Sequence, residues 1–242
     1  MANTLQKQAA PKENLVEYLA NGETVRLSPN MIKQYLVNGG GNVTNEEIMM
    51  FLNLCRFQHL NPFIREAYLI KYGNQAATMV VGKDTFMKRA NERKEFQGFT
   101  AGIIVRDAET GDIQEREGTF YAKDTEQLLG GWCKVFLDGW RVPVYASVPL
   151  DEYIGRKKDG EINGQWSTKP ATMIRKVALV QALREAFPDT NSGLYTQEEV
   201  PEIADVILPE TAVTAIEEKT ETPAEDEKPK QEASAAAALF GR

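Results

Sequence analysis

The sequence predicts an α+β fold in which an antiparallel β-meander packs against one long helix, with N-terminal helices before the sheet and a disordered C-terminal tail after it. Three observations lead to this prediction. Residues 98–148 contain alternating apolar and polar runs separated by turn sequences, which is typical of neighbouring antiparallel strands. Residues 170–187 are apolar around almost the whole circumference of a helix. Residues 202–230 are too polar to bury a core.

The N-terminal part of the chain predicts two helices. Residues 1–27 are polar with a short amphipathic stretch, and we expect an arm or a loose helix there. Ser28, which precedes a proline, then starts a helix whose apolar stripe is Met31, Ile32, Tyr35 and Leu36. Thr44 and Glu47 fit a capping box, and the apolar residues that follow at helical spacing are Ile48, Phe51, Leu52 and Cys55. We interpret both helices as scaffold.

The middle of the chain carries three pairs of β-rich runs and one helical pattern. Residues 83–94 place apolar side chains at helical spacing, which predicts a helix. Each pair of β-rich runs encloses turn residues, which predicts a hairpin. The pairs are Ala67 to Tyr72 with Thr78 to Val81, Gly98 to Arg106 with Ile113 to Tyr121, and Trp132 to Leu137 with Val142 to Val148.

Length and charge bound the domain organisation. The 242 residues are 42% hydrophobic, which suits one domain, and we predict an arm at 1–27, a core at 28–200 and an acidic tail at 201–242. The net charge is −7, but the tail holds ten acids and four bases, so the rest of the chain is almost neutral. A DNA reader with a basic face everywhere is therefore disfavoured.

A local positive stretch stands out against this balance. Residues 153–184 hold seven cations and two acids, with Trp166 among them, and a polyanion is the commonest partner of clustered Arg and Lys. An aromatic side chain adds a face on which a base can stack. The alternative is a solvated surface turn with Trp166 as a core anchor. The helix cations would then pair elsewhere in the fold, for example with the carboxylates Asp107, Glu109, Asp112, Glu115 and Glu117.

The sequence lacks the residues that several kinds of chemistry require. There is no Gly-rich phosphate loop, so ATP-driven strand exchange is not expected. The only histidine, His59, precedes a helix-ending Asn-Pro, so a catalytic role for it is not expected. Cys55 and Cys133 form no CxxC pair, which favours buried thiols in a reducing cytosol. The carboxylates of residues 107–117 leave a Mg²⁺-dependent nuclease as a rival, although acids around a β-turn usually face water. No run approaches the length of a membrane span, so we expect a cytoplasmic protein.

Three sequence segments resemble the phage single-strand annealing recombinases of the RecT/Redβ family. Leu60-Asn61-Pro62 and Val80-Val81-Gly82 are similar to that family's N-terminal motifs, in the right order and at plausible spacing. The resemblance covers roughly residues 28–200. Its longest part is a gap-free pattern formed by Gly164, Trp166, Pro170, Met173, Arg175, Ala178, Gln181, Arg184, Ala186 and Phe187.

The resemblance implies a non-enzymatic protein that needs no cofactor and anneals complementary single strands without ATP. An annealing protein must hold one strand with its base edges exposed and then keep the duplex product. The resemblance also implies a ring or helical filament of identical subunits, working beside a phage 5′ to 3′ exonuclease in a bacterial host cell. By this analogy Trp166 supports or contacts the strand, and the cations of a DNA groove are Arg156, Lys157, Lys158, Lys169, Arg175 and Lys176. A phage member of the family has histidine where this chain has Lys176, so the resemblance supports Arg175 better.

Other interpretations of the same segments stay open. Lys83 directly follows the Val80-Val81-Gly82 motif and joins the candidate DNA contacts. Residues 153–184 are equally suited to a surface between subunits. A plain single-strand DNA coating protein that does not pair strands is the nearest alternative function. The tail ends in the apolar sequence ASAAAALFGR, which suits docking to a host single-strand binding protein or to the exonuclease, or the tail is merely solubilising.

Overall fold

The computed structural model describes residues 15–157 and 159–200, which all belong to one compact unit. The predicted tail at 201–242 and most of the predicted arm lie outside these residues. The strands are β1 (Val16–Ala20), β2 (Glu23–Leu27), β3 (Val37–Asn38), β4 (Ala67–Ile70), β5 (Thr78–Val81), β6 (Phe96–Asp107), β7 (Ile113–Glu117), β8 (Glu126–Leu137) and β9 (Val144–Pro149). The helices are α1 (Pro29–Met31), α2 (Asn45–Phe57), α3 (Lys83–Asn91), α4 (Leu150–Tyr153), α5 (Gly164–Thr168), α6 (Pro170–Ala186) and α7 (Pro188–Asn191). None of these helices is both long and apolar enough to cross a membrane.

The main sheet has four antiparallel strands in the order β7-β6-β8-β9. The predicted α+β class with an antiparallel sheet is confirmed, but the strand order is not the sequential order of a meander. The two longest strands, β6 and β8, pair along their whole length, from Phe96 with Leu137 to Asp107 with Glu126. The short strand β7 therefore lies on the outer edge of β6, and not between β6 and β8.

Helix α6 covers one face of this sheet and is buried on most sides, as predicted. Pro170 occupies its first position, where a proline sacrifices no hydrogen bond. The backbone of the helix approaches the sheet closely at Gly131, where an added Cβ would lie 2.6 Å from the carbonyl oxygen of Ile174. Its buried residues are Ala171, Ile174, Val177, Ala178, Leu179, Val180, Ala182 and Leu183.

The N-terminal region corrects one prediction, because residues 16–27 form a β-hairpin and not a helix. Asn21 and Gly22 have φ values of 57° and 80°, the left-handed conformation that a tight two-residue hairpin turn requires. Tyr18 and Val25 pair across the hairpin and join the hydrophobic core. The Asn-Gly turn sequence outweighs the weak helical spacing of the apolar residues before it.

The two predicted N-terminal helices are present, with one difference. The capping box of α2 is confirmed, since Thr44 Oγ1 accepts the Glu47 N–H at 3.3 Å and Glu47 Oε2 accepts the Thr44 N–H at 2.8 Å. Helix α1 widens into a π-helix at Ile32–Leu36, and Tyr35 is exposed, contrary to the predicted stripe. A wider helical turn changes which residues share a face.

A second sheet has three strands in the order β3-β4-β5, and its β4–β5 pair is the predicted hairpin. The last described segment, residues 194–200, crosses from this sheet to helix α6, and we call it the C-terminal strap. The Tyr195 carbonyl accepts the Val81 N–H at 2.8 Å, so the strap continues from the free edge of β5. Leu194 and Thr196 are buried, which fixes the strap against the core.

Candidate nucleic-acid interface

A tight turn presents the cations that precede helix α6, and we call residues 156–162 the basic turn. At the base of the turn, Arg156 and Ile162 form an antiparallel β-bridge. The Lys157 N–H donates to the Glu161 carbonyl at 2.7 Å. Arg156 and Lys157 are exposed, and Arg156 Nη1 donates to the Gly160 carbonyl at 3.0 Å. Neither side chain makes an ion pair within the described part of the chain. Lys158, the third predicted cation of this turn, lies outside the described residues.

The residues directly after the basic turn anchor it to the core. Asn163 caps helix α5, because its Oδ1 accepts the Trp166 N–H at 3.0 Å, and its own N–H donates to the Gly155 carbonyl at 3.0 Å. Trp166 is only 3% exposed and belongs to the hydrophobic core. The structure therefore places Trp166 as the core anchor of the alternative interpretation. Because the indole is buried, it is not placed to stack on a base, and its predicted support of the strand stays a prediction.

Lys169 and Arg175 lie at the start of helix α6 and differ in exposure. Lys169 is exposed between α5 and α6, and it has no ion-pair partner in residues 15–157 and 159–200. Arg175 is half-buried, and its Nε donates to the Ala101 carbonyl of strand β6 at 3.1 Å. The main chain of the sheet thus holds the guanidinium in place without neutralising its charge.

Lys176 and Arg184, further along α6, are paired with acids of the C-terminal strap. Lys176 Nζ lies 2.6 Å from Glu198 Oε1, and Arg184 Nη2 lies 2.5 Å from Glu199 Oε1. Arg184 also packs on the Tyr195 ring, with 4.8 Å from its guanidinium carbon to the ring centroid. The expected pairing of helix cations within the fold is therefore correct for these two residues, but the partners are not the carboxylates of residues 107–117.

Lys83 begins helix α3, directly after strand β5. Its Nζ lies 3.1 Å from Asp84 Oδ1, and the Asp84 side chain is almost fully exposed. An ion pair in water contributes little, so this contact leaves Lys83 available to another anion. The strap connects strand β5, which precedes Lys83, with Lys176 on helix α6. The Tyr195 carbonyl accepts the Val81 N–H, and Glu198 forms an ion pair with Lys176.

Two of the carboxylates of residues 107–117, those of Asp107 and Glu115, have structural partners. Asp107 Oδ1 accepts the N–H groups of Glu109 and Thr110, both at 2.9 Å, and these bonds lower the pKa of Asp107. Glu115 accepts from Lys134 Nζ at 2.9 Å and from the Tyr145 hydroxyl at 2.7 Å. Within the described ranges no group of three His, Cys, Asp or Glu side chains is arranged to hold a metal ion.

The strap acids are the site feature that the sequence analysis missed. Thr196 and Glu199 form a capping box around the short 3₁₀ helix Gln197–Glu199. That T-x-x-E pattern is visible in the sequence and would have marked an ordered turn after α6. The pairing of Glu198 with Lys176 has no such signal, because it depends on how the strap crosses the helix.

Comparisons with known proteins extend over most of the chain. Residues 22–223 match the model of the RecT family. Recombination protein bet of Escherichia phage lambda is 24% identical over 193 residues, which are 77% of this chain and 63% of that protein. Uncharacterized protein UU154 of Ureaplasma parvum serovar 3 is 31% identical over 130 residues, which are 54% of this chain and 49% of that protein. The chain thus spans less than two thirds of the length of either relative. The family model, however, matches far more than half of this chain, and the protein belongs to the RecT family.

Proposed function

We propose that this protein binds single-stranded DNA without sequence preference and anneals complementary strands during homologous recombination. It acts as a homo-oligomer, without ATP and without catalysing a covalent step. The family match and the name of the phage lambda relative, which describes a recombination protein, support this proposal. The exposure and the pairing of the cations in this chain support the choice of DNA contacts.

The observation that carries the proposal is the group of exposed cations next to the start of helix α6. Arg156, Lys157 and Lys169 have no acid partner among the residues that the structure describes. An exposed cation without a carboxylate is free to pair with a phosphate, and such contacts position a strand without reading its sequence. The two cations further along the helix, Lys176 and Arg184, already have carboxylate partners.

Arg175 completes this surface in a different way. Its Nε is bonded to the Ala101 carbonyl, while its Nη1 and Nη2 make no hydrogen bond or ion pair within the described part of the chain. A guanidinium fixed through one nitrogen keeps two others for a phosphate oxygen, with little loss of side-chain entropy on binding. Arg175 is therefore the contact that we expect to fix the strand on α6.

Annealing follows from this kind of contact. A strand held through its phosphates keeps its base edges exposed, so that Watson–Crick pairing alone tests a second strand. We propose that Lys83, Lys158 and Lys176 add to the phosphate contacts and that Trp166 supports the basic turn from beneath. The duplex stays bound because both of its strands present phosphates to the oligomer.

The assembly and its partners extend the proposal. A ring or a helical filament of identical subunits would repeat the basic turn along the DNA. We propose that residues 201–242 dock to a phage exonuclease or to a host single-strand binding protein in the bacterial cytoplasm.

A fluorescence annealing assay tests the function. Two complementary oligonucleotides are added in sequence, without ATP, with and without Mg²⁺, and the products are then run on a denaturing gel. Faster duplex formation with intact strands is expected. Protection of single strands without faster pairing would show a coating protein, and shortened strands that require Mg²⁺ would show a nuclease.

A further inference from the structure

The three tryptophans of the chain differ in exposure, and the difference points to a second contact. Trp132 and Trp166 are 6% and 3% exposed, whereas Trp140 is 62% exposed. Trp140 lies between strands β8 and β9, and we call residues 138–142 the β8–β9 tip. Burial of an indole ordinarily stabilises a fold, whereas an exposed indole offers a face on which a base can stack.

The β8–β9 tip is held in place by hydrogen bonds at its base. The backbone N–H of Trp140 donates to the Leu137 carbonyl at 3.2 Å, and the backbone N–H of Asp138 donates to the Glu95 carbonyl at 2.7 Å. Gln97 Nε2 donates to Asp138 Oδ1 at 3.0 Å. The tip is therefore anchored on its neighbour β6, and the exposure of Trp140 follows from the fold.

The chemistry of the tip matches single-stranded nucleic acid. The Trp140 ring makes no aromatic or cation contact with another described residue and is 62% exposed. Arg141 is exposed beside it and forms no ion pair in residues 15–157 and 159–200. We propose that Trp140 stacks on a base of bound single-stranded DNA and that Arg141 pairs with an adjacent phosphate. This proposal rests on the proposed function and adds a contact to it.

The β8–β9 tip and the basic turn lie at opposite ends of helix α6. Leu137, at the base of the tip, pairs with Phe96, whose ring centroid is 6.0 Å from that of Phe187, the residue after α6. The basic turn precedes the first residue of the same helix. Seventeen helical residues span about 25 Å, which corresponds to about seven nucleotides at the duplex spacing of about 3.4 Å each. A strand at this spacing must exceed about seven nucleotides to reach both contacts.

The test measures binding of oligothymidine to the full chain with Trp140→Leu, Trp140→Phe and Arg141→Gln. Loss of one stacked base weakens binding about 5- to 150-fold, so Trp140→Leu is expected to fall in this range and Trp140→Phe to keep part of the affinity. Arg141→Gln is expected to lower the salt slope by about 0.7. Intrinsic fluorescence of the unmodified protein should be quenched by oligomers of about 20 nucleotides far more than by oligomers of about five, as the span of about seven nucleotides requires.

Val142→Ser is the matched control, because Val142 lies on the same tip and is 69% exposed. Base stacking does not require it, so this variant is expected to bind DNA normally. Unchanged affinity of Trp140→Leu would overturn the proposal while leaving DNA binding by the parent protein intact. A changed oligomeric state in both Trp140→Leu and Val142→Ser would also overturn it, because the tip would then contact another subunit. Failure of the parent protein to bind any oligomer would instead refute the proposed function.

Discussion

Lys176 Nζ lies 2.6 Å from Glu198 Oε1, and this ion pair joins helix α6 to the C-terminal strap. The Glu198 side chain is buried, and its second oxygen, Oε2, has no hydrogen-bond partner within the described residues. In the proposed function, a phosphate would take the place beside Lys176 that this carboxylate occupies. The strap stabilises the fold, and we propose that it also competes with DNA for the same cation.

Glu198→Gln should separate these two effects. Removing the charge weakens a hydrogen bond to a charged group, which costs about 1.5–3 kcal/mol of unfolding free energy. Lys176 loses its competitor, so affinity for single-stranded DNA should rise. Chemical denaturation and oligonucleotide binding measure the two quantities, with Glu185→Gln on the exposed side of α6 as the control. Lower stability with unchanged affinity would remove Lys176 from the DNA site.

Neutralising the basic turn should weaken binding equally for unrelated sequences. In the variant with Arg156, Lys157 and Lys158 all changed to Gln, each lost phosphate contact lowers the slope of log affinity against log salt by about 0.7. Binding titrations over a range of salt concentrations measure this slope. Changing the exposed Lys33 and Lys123 to Gln gives a control that removes two charges at other sites. A slope equal to that of the parent protein would exclude the basic turn from the site.

The local elements were predictable from the sequence because their signals lie within a few residues. Pro170 marks the start of α6, and the Thr44–Glu47 capping box marks the start of α2. The hairpin at residues 16–27 also has a local signal, the Asn21-Gly22 turn, but the apolar residues before it suggested a helix. The position of β7 at the edge of the sheet has no local signal, because the long pairing of β6 with β8 decides it.

The site was predictable only in part for the same reason. The charge of residues 153–184 is a property of the sequence, and the exposure of Arg156 and Lys157 agrees with it. Which cations are neutralised depends on contacts across the fold, such as that of Lys176 with Glu198, which is 22 residues away. Whether a tryptophan is buried depends on packing, and the structure buries Trp166 while exposing Trp140.

The ion pair of Glu47 with Lys71 predicts a pH dependence of stability. Burial raises the pKa of Glu47, but hydrogen bonds from Lys71 Nζ and from the N–H groups of Thr44 and Ala77 outweigh this effect and lower the pKa to about 2. A lowered folded-state pKa contributes stability above the ordinary value of 4.5, and this stability is lost as the pH falls toward 2.

Glu47→Gln should therefore melt at a lower temperature than the parent protein at pH 7. Lys71 is buried and would be left without its carboxylate partner. The difference in melting temperature should narrow as the pH falls from 4.5 toward 2, because Glu47 takes up a proton first in the unfolded chain and then in the folded one. Glu109→Gln, in an exposed turn, is the control and should follow the parent protein at every pH. A difference that stays constant down to low pH would contradict the role of the Glu47 charge.

Deleting residues 203–242 should leave annealing intact, because every proposed DNA contact and the whole C-terminal strap lie before them. The annealing assay with the truncated chain measures this directly. A longer deletion that starts at residue 194 removes Glu198 and Glu199 and should lower thermal stability, since Lys176 and Arg184 lose their partners. Loss of annealing in the shorter deletion would show that the tail takes part in pairing the strands.

Gly131→Ala should destabilise the protein by forcing α6 away from the sheet. An added Cβ would lie 2.6 Å from the carbonyl oxygen of Ile174 and 3.1 Å from the backbone nitrogen of Arg175, and backbone atoms in a packed helix cannot move aside singly. Overpacking of this kind costs about 1–3 kcal/mol, which denaturant unfolding measures. Gly164→Ala is the matched control, because no atom lies within 4 Å of its added Cβ. Equal unfolding free energies for the two variants would contradict the close packing of α6 on β8.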